Sequence, residues 1–323
     1  MLIFHTTTGP LETPPDVTQS ALPKGTSWVD ALNPDAQELA FLSRVLKVEI
    51  PTQADLIEIE SSSRLFAKKD RIFISLPLVF KADDLPKTTP IGFVLSRSIL
   101  LTLHYEPLKA LGPHSNEANV GEMPGSVGHF LTIVECIIDH VADVLEHVGS
   151  DLDSISSCIF AEPQGKHQPR AGGNDLRQVL RQVGRAGDLT AKISETLLGI
   201  GRMIPYVSAN AADYLTSVAK DRLESLSRDI VSLNDYETHL TDKIQLLVDV
   251  TLGFTNVDQN NVFRVLTVFS IIGIPPTFLA SMYGMNFKTI PEYDWAYGYP
   301  YALILMFLSG AIPALWFKWR GWW

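Results

Sequence analysis

Val262–Tyr283 reads VFRVLTVFSIIGIPPTFLASMY and runs directly into Gly284-Met285-Asn286-Phe287. Past Arg264 it carries no charge. About 20 such residues wound as a helix cross ~30 Å of hydrocarbon, so the stretch predicts a membrane span. A second uncharged stretch, Tyr299–Phe317 (YPYALILMFLSGAIPALWF), follows a short loop. Two such segments in succession are hard to place in a soluble core. They set a membrane domain at residues 262–323, with spans at 262–283 and 299–317.

The flanks give an orientation. Arg264 opens the first span, and Lys318 and Arg320 close the second. The loop Gly284–Gly298 between them holds Lys288, Glu292 and Asp294. Basic residues favour the cytoplasmic side, so both termini are expected inside and the loop outside. Trp295, Tyr297 and Tyr299 suit an outer aromatic belt, and Trp316, Trp319, Trp322 and Trp323 an inner one. Two helices cannot enclose a pore, so conduction would require an oligomer with the spans around an axis.

Upstream, no proline separates Pro205 from Pro275. Leu226, Ile230, Leu233, Leu240, Ile244 and Leu247 recur at heptad spacing, with Glu237 interrupting the stripe. The pattern predicts one helix from about Ala209 to Tyr283, on the order of 100 Å long. Such a helix acts as a lever from cytosol to bilayer. Pro275 and Pro276 would permit a local bend. A second heptad run, Leu131, Val134, Ile138, Val141, Leu145, Val148, Leu152 and Ile155, predicts another packed helix. A different face of that helix carries Asp139, Asp143, Glu146 and Asp153. It reads as a solvated face, or as a collector of cations near a pore entrance. A loop is expected over residues 162–173 and a further helix over about Asn174–Met203.

The N-terminal part mixes elements. Arg71–Phe80 and Ile91–His104 read as strands. Trp28-Val29-Asp30 reads as a short strand leading to a helix over Ala36–Val48, capped by Asn33 or Asp35. Thr52–Glu60 reads as a helix capped by Thr52. These features predict a mixed sheet with helices. The expected domains are a cytoplasmic α/β domain at 1–120, a cytoplasmic long-helix region at 121–261 and the membrane domain. The fold class is an α+β cytoplasmic domain with long helices leading into two C-terminal transmembrane helices.

Composition narrows the function. The formal net charge is −10, which disfavours nucleic acid as a partner and suits either cation handling or plain solubility. The two cysteines, Cys136 and Cys158, fall in one predicted helix about 33 Å apart. They cannot bridge there and are expected as reduced core residues. The N-terminus MLIFHTTTGP lacks the pattern of a signal peptide, so the soluble part is expected in the cytoplasm. No phosphate-binding glycine loop and no nucleophile–base pairing is visible. An enzyme is therefore not expected, nor a cofactor.

Tyr283-Gly284-Met285-Asn286-Phe287, followed by Ile290-Pro291-Glu292-Tyr293, resembles the CorA family of divalent-cation transporters. That family carries Gly-Met-Asn at the outer end of the first of two C-terminal helices, commonly continued as Met-Pro-Glu-Leu. Trp28-Val29-Asp30-Ala31-Leu32-Asn33-Pro34, Ser63-Arg64-Leu65-Phe66 and the tail Phe317-Lys318-Trp319-Arg320-Gly321-Trp322-Trp323 resemble its proteobacterial branch. The resemblance covers the whole chain. It implies a homopentamer with a cytoplasmic funnel in the inner membrane, with magnesium as cargo and cobalt and nickel as secondary cargo. Relatives that carry zinc typically have Gly-Ile-Asn, whereas Met285 stands here.

On this reading Gly284, Met285 and Asn286 form the selectivity filter. Magnesium dehydrates reluctantly. A ring of Asn286 amide oxygens would accept hydrogen bonds from the ion's water, while Met285 is suited to packing. Counting back by three and four, Ser281, Thr277, Ile274, Ser270, Leu266 or Thr267, Phe263 and Asn260 share one face. By resemblance this is the pore lining, and its apolar members would gate by excluding water. For each of them plain helix or lipid packing is the alternative. Glu292 and Asp294 are outer-loop candidates. Asp249 corresponds to a carboxylate that in some relatives helps hold regulatory magnesium between subunits. The usual partner is Ser225 here, with Asp229 one turn on as a substitute, and an ordinary surface carboxylate is the alternative. Competing functions are a zinc or nickel importer on the same scaffold, proton-coupled in one version, and a membrane-anchored sensor.

Overall fold

A computed structural model describes residues 1–6, 9–12, 21–58, 64–82, 85–108, 111, 125–160, 173–286, 291–292 and 294–322. Ser63, Phe287, Lys288, Ile290, Tyr293, Trp323 and the expected loop at 162–172 lie outside the described residues. Contacts divide the chain into two compact units. One comprises Met1–Glu162 with Val179–Leu247, the other Pro163–Gln178 with Val248–Trp323.

The first unit contains a seven-stranded sheet of order β2-β1-β3-β7-β6-β5-β4. Its strands are β1 (Leu2–Thr6), β2 (Gly9–Glu12), β3 (Thr26–Leu32), β4 (Leu65–Lys68), β5 (Arg71–Ala82), β6 (Leu85–Ser96) and β7 (Leu100–His104). β3 and β7 run parallel and the other pairs antiparallel, so the sheet is mixed as expected. Both of its faces are covered, which explains the near-continuous apolar runs in its centre. Val29, Ala31, Leu101 and Leu103 point to one side and pack with Phe41, Leu42 and Leu56. Those last residues come from two short helices, α1 (Ala36–Leu46) and α2 (Gln53–Ile57). Each opens with a reciprocal capping box, Asp35 with Glu38 and Thr52 with Asp55, so Asp35 and not Asn33 is the cap.

The alternate residues Trp28, Asp30, Thr102 and His104 are also buried, as the two-residue period of strands requires. The helix α3 (Ser126–Phe160) contacts β3, β6 and β7, and Phe130 meets Phe93 edge-on at 5.6 Å between ring centroids. All eight residues of the heptad run in α3 are buried. Ile91–His104 is not one strand. Ser96 ends β6 by accepting the Ile99 N–H at 3.1 Å and donating to the Ile99 carbonyl at 2.8 Å. That local turn reverses the chain inside an apolar run.

Two helix boundaries also differ from expectation. α4 (Gly173–Asn210) continues through Pro205 instead of stopping at Met203. The next helix, α5 (Ser217–Tyr283), therefore starts eight residues later than Ala209. A turn held by Tyr214 N–H to the Ala211 carbonyl separates them. The Thr216 hydroxyl then accepts the Ala219 N–H at 3.2 Å and caps α5. Leu226, Ile230, Leu240 and Leu247 of the heptad stripe are buried. Arg222 pairs with Glu135 of α3 through two hydrogen bonds, and Lys243 reaches Asp153 at 2.6 Å. Gly149 of α3 leaves room for the Tyr236 hydroxyl against its backbone, a space that any side chain would occupy. Cys136 is half-buried, but Cys158 is exposed, so the expectation of two core cysteines fails for Cys158.

A polar cluster ties β1, β3 and β7 to α3. The Trp28 ring stacks on His5 at 3.8 Å, and its indole N–H donates to Thr102 Oγ1 at 3.0 Å. Thr102 donates to Asp30 at 2.5 Å, and His104 Nε2 lies 3.0 Å from the same carboxylate oxygen. His129 of α3 pairs with Ser27 at 2.9 Å. Burial lowers His5 to about 4, against a smaller upward pull from Asp30. Burial also lowers His129. Burial alone would lower His104 too, but the hydrogen bond and charge of Asp30 outweigh it and raise it.

These shifts predict an acid-sensitive fold. The neutral form of His5 is the one that the fold accepts. Its contribution is complete above the ordinary value of 6.5 and is lost as pH falls from there towards 4. His129 acts in the same direction, and His104 in the opposite one. A fall from 6.5 to about 4 corresponds to roughly 3 kcal/mol. Thermal unfolding of the full chain between pH 7.5 and pH 4.5 is expected to show a falling midpoint, and His5→Gln to flatten the fall. An equal fall in His5→Gln removes His5 as its source.

In the second unit, the later part of α5 packs against α6 (Gly298–Trp319), which closely matches the expected second span. Gly310 lies against Pro276 and the Ile272 carbonyl. Arg264 meets Trp322 at one end of the pair, and Tyr283 and Gly284 share a cavity with Tyr299 and Leu303 at the other. The two helices are therefore antiparallel. α5 runs unbroken across Pro275 and Pro276.

Candidate ion-conduction site

Both spans are apolar yet hardly buried. Only 6% of the most apolar window of α5 and 11% of that of α6 is buried. Phe269, Phe278 and Phe307 are each more than 65% exposed. A soluble core helix would hide such residues, so this hairpin needs lipid or further copies around it.

The predicted stripe lies on α5. Val268, Ile272, Pro276 and Ala280 lie towards α6, where Val268 is buried and the other three touch or line its contacts. Asn260, Phe263, Leu266, Thr267, Ile274, Thr277 and Ser281 are exposed, and Ser270 is half-buried. The Thr267 and Thr277 hydroxyls donate to the Phe263 and Gly273 carbonyls, each at 2.8 Å. With their protons committed to the helix, the outward lone pairs of these hydroxyls remain as acceptors. An ion's water shell presents hydrogens, which matches such acceptors.

At its C-terminal end the helix closes on the Gly284 N–H, which donates to the Ala280 and Ser281 carbonyls at 3.0 and 3.2 Å. A Cβ at Gly284 would sit 3.3 Å from the Ala280 carbonyl oxygen. Met285 N–H reaches the Met282 carbonyl at 3.4 Å. Met285 and Asn286 then stand exposed just past the helix end. Glu292, Trp295 and Tyr299 line a cavity of about 500 Å³ with Tyr283 and Gly284. The cavity brings half-buried Glu292 to the Gly284 corner, whereas Asp294 is exposed and outside its lining. Gly298 holds this loop: its N–H donates to the Trp295 carbonyl at 2.9 Å, and a Cβ there would strike the Glu292 carbonyl. Sequence reasoning missed Gly298. Its only signal was a glycine immediately before the first aromatic of the second span.

The regulatory candidates separate. Asp229 and Asp249 both lie exposed on α5, twenty residues or about 30 Å apart along the helix. One ion cannot join them within a chain. Asp229 instead stands near Asp139, whose carboxyl is raised by burial and then by Glu135, Asp143 and Asp229. The acidic face of α3 thus gains a member from α5. Among the described residues no group of three metal-type side chains converges.

A mixed α+β unit, long helices and an exposed two-helix apolar hairpin with a polar stripe define a two-span membrane protein. The profile described as "CorA-like Mg2+ transporter protein" matches residues 23–319. The chain belongs to the CorA family. It is 30% identical over 298 residues to the magnesium transport protein CorA of Salmonella typhimurium, covering 91% of each chain. Against the Escherichia coli K12 protein of the same name it is 29% identical with the same coverage. The structure of the complete CorA magnesium transporter from Methanocaldococcus jannaschii superposes with a TM-score of 0.75, at 19% identity, covering 100% of this chain and 99% of that one. That likeness shows the same fold.

Proposed function

We infer that the chain conducts magnesium inward through a pore built from several copies of α5. The observation that carries this reading is the position of the polar stripe. Ser270, Thr277 and Ser281 lie on a face of the span turned from α6, and Asn260 continues that face just before it. Polar side chains at membrane depth favour a protein interior or a water-filled path over lipid. An axis shared by five copies, the number that the family resemblance implies, satisfies that face. It also gathers five Asn286 amides at the outer mouth. Phe263, Leu266 and Ile274 would then form the apolar constrictions. Both termini would face the cytoplasm of the inner membrane, and cobalt and nickel would be secondary cargo.

The membrane potential supplies the driving force, roughly 4.6 kcal/mol per 100 mV for a divalent ion. Proteoliposomes holding the purified chain test this. Magnesium entry is expected to follow an imposed inside-negative potential and to ignore a pH gradient. Entry that requires the pH gradient, or zinc entry without magnesium entry, overturns the reading.

Magnesium held between chains at Asp249 would favour the closed state, so falling cytosolic magnesium opens the pore. Millimolar magnesium is expected to protect the full chain from protease and to fail to protect Asp249→Ala. Equal protection removes Asp249 from the site, and the same measurement on Asp229→Ala decides whether Asp229 replaces the missing partner at Ser225.

A further inference from the structure

The C-terminal end of α6 is a built structure. Gly321 adopts φ +69°, a left-handed conformation that favours glycine. The Trp322 N–H reaches back to the Phe317 carbonyl at 3.1 Å, and the Gly321 N–H to the Lys318 carbonyl at 3.3 Å. This is a Schellman-type stop, with the apolar contact that accompanies it: the Trp322 ring lies 5.5 Å from Phe317, itself almost fully buried. The turn carries Trp322 beneath Arg264 of α5, 5.5 Å from guanidinium carbon to ring centre. Arg320 stands in the same way over Trp316 at 5.6 Å.

Three cations thus collect at one end of the hairpin, Arg264, Lys318 and Arg320, all exposed. Among the described residues none of them has a carboxylate partner. Two stand over indole rings, a contact that attracts the cation without neutralising it. Beside them Trp319 is 84% exposed and Leu315 66% exposed. Uncompensated guanidinium groups next to bare apolar surface complement a ligand with an anionic head and hydrocarbon tails. Free phosphate would use the cations but leave the apolar side uncovered.

We propose that Arg264, Lys318 and Arg320 form a site for the phosphate headgroup of an anionic phospholipid, seated on Trp316 and Trp322. The proposal rests on the reading of the hairpin as a membrane span. Arginine forks can take two phosphate oxygens at once. Because Arg264 belongs to α5 and Trp322 to the end of α6, a bound lipid joins the base of the pore helix to the outer helix. The site makes the state of α5 responsive to the charge of the surrounding leaflet.

The test uses the full chain in nanodiscs of phosphatidylcholine with a trace of spin-labelled lipid. Incorporation with two helices in the bilayer checks the membrane reading separately. The motionally restricted fraction is compared for labelled phosphatidylglycerol and labelled phosphatidylcholine. The native chain is expected to prefer phosphatidylglycerol, and Arg264→Gln to lower that preference about fivefold. Lys318→Gln should lower it by a similar factor. Excess inorganic phosphate should leave the native preference intact. No native preference, an unchanged preference in Arg264→Gln, or displacement by phosphate each overturns the site. If Arg264→Gln fails to assemble, Trp322→Leu takes its place, since freeing the guanidinium should also reduce the preference; retention of the full preference overturns the site.

Discussion

Asn286→Ala is expected to cut magnesium uptake roughly a hundredfold or more while leaving assembly unchanged. Asn286 stands exposed just past the end of α5, beyond the turn that Gly284 closes. Its amide oxygen is the last neutral acceptor of the stripe. A hydrated magnesium ion offers hydrogens on every side and releases its water slowly. In the proposed pentamer, five such amides would meet that shell without stripping it. At about 1 kcal/mol for each hydrogen bond lost, the ring contributes several kcal/mol, and each 1.4 kcal/mol is a factor of ten. Asn286→Asp tests the neutrality of the ring. Five carboxylates would hold the ion more tightly and release it more slowly, so uptake should fall while affinity rises. Uptake by Asn286→Ala at the native rate would sink the filter and favour the sensor reading. Elution of the variant as the native oligomer separates loss of conduction from loss of assembly.

Trp28→Ala is expected to destabilise the first unit by about 3–5 kcal/mol. Trp28 is 1% exposed, stacked on His5, and hydrogen-bonded through Thr102 to Asp30 and so to His104. Truncation removes the largest side chain of the β3 face that meets α3 and leaves the Thr102 hydroxyl without its donor. Domains commonly have only 5–15 kcal/mol in total, so the loss should appear as a large drop in thermal midpoint. Trp28→Phe keeps the ring on His5 but loses the indole N–H, and should cost on the order of 1 kcal/mol. A Trp28→Ala midpoint close to that of Trp28→Phe would show that the hydrogen bond, and not the buried volume, carries the effect.

The features legible in the sequence are those held by nearby residues. The capping boxes at Asp35 and Thr52 each sit within four residues, and both helices begin where those residues predict. The heptads of α3 reappear as a fully buried stripe because a helix brings every third and fourth residue onto one side. Where reading failed, two local signals competed. Ile91–His104 looked like one strand because apolar β-branched residues flank Arg97 and Ser98, and the Ser96 turn is too short to interrupt the pattern. Pro205 looked like a stop, yet α4 accommodates it and ends only at Asn210, so the start of α5 was placed too early. The Thr216 cap was the sharper signal. Cys158 was expected in the core because no bridge was open to it, but it is exposed near the end of α3.

The sequence by itself determined that this is a two-span membrane protein with a Gly-Met-Asn corner at the end of the first span. Some twenty uncharged residues in a row have few homes other than hydrocarbon, and a motif needs only its own backbone to exist. Tertiary structure alone decided which groups meet. It joined Trp28 to Thr102, seventy-four positions away, and Ser27 to His129, one hundred and two away. It set Arg264 over the returning Trp322 and brought Glu292 to the Gly284 corner through Gly298. Period and composition record only how each element treats its own faces. The partners of those faces follow from packing, where burial on both sides of a sheet or a helix admits few arrangements.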